Sequence, residues 1–250
     1  MLKKIAPLAA ALLLAACAGH PPPAPTSLGQ RSFGPAYGID LATDASDNLN
    51  ELKDSRLGFV ARYYRNPQSR WPTLSAREAQ RLSSLGMAMV AIWESHSHDP
   101  AYFSYASGYG DAIAAHNQAN ALGQPAGSAI YFAVDFDAGP AALPAVDQYF
   151  RGVAAGLAAA GGGRPKYQAG VYGSGAVCRA IKGVRLAHYA WLSNSTAWSG
   201  YAGYDDWNIK QGGRVARLSF SHDYDEARQD YGGFRLTHSA ALAPYASLAP

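Results

Sequence analysis

Cysteine is nearly absent from this chain, with only Cys17 and Cys178 among 250 residues. That rules out a disulfide framework and leaves stability to a hydrophobic core, which a chain of this length can build. Charge is scarce as well: 16% of residues, with 21 Lys and Arg against 18 Asp and Glu and no basic run. A nucleic-acid partner calls for a clustered cationic surface and is therefore not expected. Long apolar stretches are missing except for Ile5 to Ala16, too short to cross a bilayer as a mature helix. Dinucleotide and nucleophile-elbow loops are missing too. The stretch "GVYGSG" holds no full G-x-G-x-x-G, and Tyr172 stands where a G-x-S-x-G elbow around Ser174 needs its first glycine.

What is present at the amino end has the layout of an export signal. Lys3 and Lys4 precede the apolar run, and "LLAAC", ending at Cys17, resembles a bacterial lipobox, in which the cysteine is lipidated and becomes the first mature residue. An ordinary signal peptide with Cys17 incidental is the other reading. Residues 1–16 are thus expected to be removed, which takes away two lysines and no acid and lowers the formal charge from +3 to +1. Ala18, not being Asp, permits sorting to an outer membrane. Residues 17–36, with "HPPPAP" inside, read as a tether extending about 3 Å per residue where polyproline holds. The expectation is an exported monomer, anchored to a membrane through lipid on its periplasmic or cell-envelope face, with Cys178 unpaired.

From Tyr37 onward, strand-like runs alternate with helix-like ones. The strand candidates are 37–40, 58–64, 87–94, 129–137, 167–173, 188–194, 207–211 and 217–225. "LSAREAQRLSSLG" puts Ser75 and Glu78 at capping-box spacing and ends on Gly86; two further helical patterns stop at Gly123 and Gly161. "SGAVCRAIKG" is short, and no helical period separates the sixth and seventh strands. Such alternation argues for parallel βαβ units, and eight of them argue for a single-domain (β/α)8 TIM barrel, an α/β fold, over an open doubly wound sheet. The domain is set at 37–234, with a tail at 235–250.

In "YFAVDFDA", Ile130, Phe132, Val134 and Phe136 share one face of a strand, while Tyr131, Ala133, Asp135 and Asp137 share the other. One face is wholly apolar; the other ends in charge. An unpaired buried carboxylate is costly, so such acids belong where a strand reaches a solvated pocket. Barrel enzymes build their sites at the carboxyl ends of the strands. Asp40 closes the first strand, Glu94 the third, Asp135 and Asp137 the fourth, and Asp223 and Asp225 the eighth. Each alone reads equally well as a cap or turn residue. Gathered at one rim, they raise one another's pKa, so that one is held protonated while another stays ionised, the division of labour that glycoside hydrolysis needs.

"GIDLAT", "IWE", "GSAIYFAVDFDA", "GVYGSG", "WLSNSTAW", "YDDWNIKQ" and "DYDEARQDYGGF" together resemble a bacterial glycoside-hydrolase-like domain family, a (β/α)8 fold related to the muramidases of glycoside hydrolase family 25. The resemblance runs from about Tyr37 to Phe234. It implies a site of Asp40, then Asp135 and Asp137, then Asp223 or Asp225. Where the muramidases carry a glutamate proton donor at the end of the fourth-strand motif, this chain has Asp137, one methylene shorter. Glu94, ending the neighbouring strand beside Trp93, is a substitute donor, or a rim salt bridge. The resemblance implies a glycan ligand, peptidoglycan first.

The stretch "STAWSGYAGYDDWNIKQ" brings Trp198, Tyr201, Tyr204 and Trp207 into one loop, rings suited to the apolar faces of sugars, or to packing on one another. Asp205, Asp206 and Gln211 would supply sugar hydrogen bonds. "SHSHD" sets His96, His98 and Asp99 together without a defined ligand spacing, so no metal ligand and no cofactor are assigned. Three readings remain. A peptidoglycan hydrolase would use Asp137 as general acid, with Asp135, Asp40 and Asp225 positioning water or substrate. A glycan-binding lipoprotein would keep the pocket without the donor. A metal-dependent phosphoesterase would require bound metal.

Overall fold

Short runs of β-branched and aromatic residues pair into one closed sheet. The computed structural model describes residues 33–213 and 217–237; the signal segment, Cys17, most of the tether and the end of the tail lie outside the described residues. The order is β1 (Ala36–Asp40), α1 (Leu49–Asp54), β2 (Phe59–Tyr64), α2 (Ala76–Ser84), β3 (Ala88–Trp93), α3 (Tyr105–Leu122), β4 (Ala129–Ala133), α4 (Leu143–Ala160), β5 (Gln168–Gly173), α5 (Gly175–Gly183), β6 (Tyr189–Leu192), β7 (Ile209–Gln211) and β8 (Asp223–Ala227). The eight strands close in sequence order into a barrel.

Strands β1 to β7 run parallel, each beside the next. β8 departs from the expected pattern, because it runs antiparallel to both β7 and β1 and starts at Asp223, where the sequence reading ended it near Asp225. The reason lies in the connection. Returning parallel would require a crossover of a dozen or more residues, usually a helix. Only eleven residues separate Gln211 from Asp223, and they open on Gly212 and Gly213 with φ of 102° and 111°, a left-handed turn that keeps the chain at the same rim. Helices α1 to α5 therefore follow the first five strands, and β6 to β8 are joined without helix among the described residues.

The strand alternation separates two cores. Phe59, Ala61, Val90, Ile92, Tyr131, Tyr189, Trp191 and Ile209 fill the inside of the barrel. Their neighbours, among them Ile39, Val60, Met89, Ile130, Phe132 and Val171, face outward against the helices. Glycines make room for the large rings inside. A Cβ on Gly38 would lie 2.4 Å from the Phe59 ring, and one on Gly170 would lie 2.5 Å from Tyr131. At the floor, Tyr231 packs its ring 5.0 Å from Phe59 and its carbonyl accepts from the Tyr131 hydroxyl at 2.9 Å.

Local signals set the helices. Ser75 caps α2 through its hydroxyl on the Glu78 amide, and Gly86, at φ 78°, follows the end. Only half of the expected capping box forms, because the Glu78 carboxylate is drawn instead into a fully buried pair with Arg62 of β2 at 2.5 Å and also accepts from the Ala45 amide. α3 begins at Tyr105, capped by Ser104, and stops at the expected Gly123 with φ 81°. Gly108 on α3 and Gly152 and Gly156 on α4 let these helices approach closely, since a Cβ on Gly152 would meet the Tyr105 carbonyl at 2.1 Å.

Candidate active site at the barrel mouth

Above the apolar layers the barrel interior turns polar. Asp40, the last residue of β1, is 3% exposed; its Oδ1 accepts from the Tyr63 hydroxyl and its Oδ2 from Gln211 Nε2, both at 2.9 Å. Gln211 in turn accepts from the Tyr172 hydroxyl at 3.0 Å, so its amide is oriented from both ends. Burial raises the Asp40 carboxyl to about 6, aided by the Asp223 charge and opposed by the Gln211 and Tyr63 hydrogen bonds. Strand register places Asp223 beside Asp40 and Asp225 beside Gly38, one step deeper. Asp225 is wholly buried, and neither oxygen completes a hydrogen bond in good geometry within the described structure. Burial first, then the Asp40 charge, pushes its carboxyl well above the ordinary range, with the Trp191 indole opposing.

The second cluster sits at the rim. Strand β4 ends at Ala133, four residues before the expected end, so Asp135 and Asp137 lie on the segment that follows it. The Asp135 amide donates to the Ser97 carbonyl at 2.9 Å, which holds this segment against the loop after β3. Its half-buried carboxylate lies 3.1 Å from His98 Nδ1 and within 4.8 Å of Glu94. Burial raises the Asp135 carboxyl; His98 opposes the rise and Glu94 adds to it. Glu94 accepts from the Ser97 hydroxyl at 3.1 Å and is paired with Arg65 at 3.4 Å. The Arg65 guanidinium lies 4.1 Å from the centre of the Tyr63 ring, tying the rim to the Asp40 cluster. A cleft of about 540 Å³ opens beside Glu94, lined by Arg65, Asn66, Trp71, His96 and His98 among others.

Asp137 takes a different course. It is exposed, and its Oδ1 accepts the Ser199 amide at 2.8 Å, clasping the loop that follows β6. Trp198 and Tyr201 lie half-buried on that loop near the rim, with Lys210 over the Tyr201 ring. Tyr204, Asp206 and Trp207 are not brought to the mouth. They precede β7, whose first residue is at the opposite end of the barrel, and they pack outward. Tyr204 is buried under Arg179, Asp206 pairs with Lys182 at 2.9 Å, and the Arg228 guanidinium covers Trp207 at 3.7 Å. Gln211 is at the mouth, spent on Asp40 and Tyr172. Of the histidine run, His98 joins the acids, while His96 faces Tyr102 and Asp99 caps a short turn on the Ala101 amide.

Sequence reasoning missed Tyr63, Tyr172, Trp191 and Arg65. Period-two alternation in "FVARYY" and "GVYG" places Tyr63 and Tyr172 on the same inward face as Phe59 and Gly170, and that pattern was the available signal. Arg65 follows β2 and carries no comparable pattern.

A sequence model of the Rv2525c-like, glycoside hydrolase-like domain family matches residues 50–240. The chain belongs to this family. Among solved structures similar to this glycoside hydrolase-like domain is the Tat-secreted protein Rv2525c of Mycobacterium tuberculosis in complex with HEPES, at a TM-score of 0.64 and 19% identity over 79% of this chain and 98% of that one. Another is the modular autolysin LytC of Streptococcus pneumoniae in complex with a synthetic peptidoglycan ligand, at 0.52 and 12% over 77% of this chain and 46% of that one. At these identities the likeness is one of fold. A curated relative, the uncharacterized protein YbfG of Bacillus subtilis strain 168, is 32% identical over 133 residues, half of this chain and 18% of YbfG. The domain thus spans under a fifth of that relative's length. Among the described residues no helix is long and apolar enough to cross a membrane.

Proposed function

We propose that this glycoside hydrolase-like domain cleaves a cell-envelope glycan, peptidoglycan first, by carboxylate acid–base chemistry, and that lipid on Cys17 holds it at the membrane. The observation that carries the reading is the Glu94–Asp135 pair, two carboxylates within 4.8 Å at the mouth of a barrel with further acids behind them. Asp135, whose carboxyl burial raises, is suited to deliver a proton to the leaving oxygen. Glu94, oriented by Ser97 and Arg65, faces it as the second carboxylate. Asp40, held at both oxygens, supplies negative charge to an oxocarbenium-like transition state, and Trp198 and Tyr201 offer ring faces at the rim. The glycan-bound relative in the fold class supports the choice of polymer.

One observation favours the second reading, a glycan-binding lipoprotein. Asp137, at the position of the muramidase donor, has an oxygen committed to the Ser199 amide. The deciding experiment is incubation of the purified protein with peptidoglycan beside Glu94→Gln, Asp135→Asn and Asp137→Asn, scoring new reducing ends by mass spectrometry. Hydrolysis by wild type, a loss of about 10²-fold or more in Glu94→Gln and Asp135→Asn, and near-wild-type rates in Asp137→Asn are expected. Retained pull-down of the polymer with no cleavage would transfer the assignment to a binding protein. Retaining and inverting glycosidases differ in how far apart their two carboxyl groups stand, and NMR of the first-formed sugar end would tell which outcome this pair gives.

A further inference from the structure

The rim pair has a third member that hydrolysis does not use. His98 Nδ1 lies 3.0 Å from the backbone carbonyl of Asp135 and 3.1 Å from its Oδ2, so this nitrogen faces two oxygens of one residue. Two lone-pair atoms that close require something positive between them, a proton or a cation. One ligating atom each from Glu94, His98 and Asp135 lies within 4.8 Å of the other two. In a tetrahedral zinc site, with ligands about 2.0–2.2 Å from the metal, neighbouring ligand atoms are about 3.3 Å apart. The His98–Asp135 separation of 3.1 Å is close to one edge of such a figure, and Glu94, within 4.8 Å of both, stands on the side of a third corner, which leaves the fourth to water.

We propose that Glu94, His98 and Asp135 form a binding site for one divalent transition-metal ion. The donor set, one imidazole and two carboxylates, selects borderline ions such as zinc over calcium or magnesium, which take oxygen ligands. The backbone contact between Asp135 and Ser97 brings the two loops together before any ion arrives, and the cleft beside Glu94 gives it a path. Arg65 at 3.4 Å from Glu94 opposes the ion; its guanidinium is also placed on the Tyr63 ring, and only Glu94 among the three ligands is paired with it. Zinc here occupies the two carboxylates that the proposed hydrolysis needs, a consequence that rests on that reading, whereas binding itself does not.

The test uses the full chain carrying Cys17→Ser, so that no tether thiol competes, stripped with chelator and titrated with zinc by calorimetry at fixed pH. One ion per chain is expected, with affinity lower by about 10-fold or more in His98→Ala and in Glu94→Gln. Cobalt(II) should give visible absorption in the parent that both substitutions diminish. His98 has a side chain 72% exposed, so its replacement leaves the fold intact, and circular dichroism verifies this. No binding heat, or equal affinity and stoichiometry in parent and both variants, would overturn the site whether or not the protein cleaves glycan.

Discussion

Asp225 is the residue whose environment sets the strongest electrostatic demand. It is wholly buried beside Asp40, and both carboxyls are pushed up, Asp40 to about 6. A carboxyl raised in the folded state keeps its proton while the unfolded chain, near 3.8, has lost it. The native protein then binds more protons, and stability falls as pH rises from about 4 through the native value. For Asp40 alone the interval corresponds to about 3 kcal/mol lost by pH 7. Asp225→Asn carries an amide that cannot ionise and is expected to lose less stability than wild type between pH 4.5 and 7.5, by denaturant unfolding at each pH. Parallel pH dependence in the two proteins would show Asp225 ionised in the fold. The gathering of acids at one rim was legible because strand ends are marked by turn residues. Their separate fates were not: whether an acid faces Ser199, as Asp137 does, or His98, as Asp135 does, depends on loops far apart in sequence.

At the scale of elements, α2 was legible at both ends because Ser75 with Glu78 opens it and Gly86 follows it, whereas of α3 only the Gly123 end was, since Ser104 has no acid three residues on to mark it as a cap. The reversed β8 was hidden because alternation of apolar residues says which face a strand buries and not which way it runs. The rim assignment survived that error, since a strand that begins at the mouth sets its first acids where a parallel one would set its last. Packing between helices was also invisible, because the glycines that permit it look like helix-weakening residues. Gly152 shows the consequence. A Cβ there would lie 2.1 Å from the Tyr105 carbonyl and 2.8 Å from the Tyr109 amide, both backbone, so α3 and α4 must part to admit it. Gly152→Ala is expected to cost about 1–3 kcal/mol despite the better helix propensity of alanine. Gly110→Ala, where a Cβ meets nothing within 4 Å, serves as the control and should match or exceed wild-type stability in the same thermal melt.

In the molecule as a whole, the chain seals its barrel from below after the last strand is complete. Beyond β8, the Phe234 amide and carbonyl bond to Met89 of β3 at 2.8 and 2.7 Å, and the Gly232 carbonyl accepts the Ala129 amide of β4 at 2.8 Å. Tyr231 is thereby held beneath the interior layers, 1% exposed, against Phe59 and Phe33. One plug thus contacts β2, β3 and β4 together with Phe33 ahead of β1, so the floor cannot open without loosening these contacts together. The polar mouth depends on this: Tyr131 stands directly on the Tyr231 carbonyl, Trp191 packs edge-on against Tyr131 at 5.7 Å, and Tyr172 packs on Trp191 at 5.4 Å, reaching Gln211 above. Tyr231→Ala should remove about 3–5 kcal/mol while leaving a single cooperative transition. Through the ring stack it should also loosen the Gln211–Asp40 contact, seen as faster hydrogen exchange at the β7 amides. Loss of stability with unchanged exchange at β7 would confine the plug to a local role at the floor.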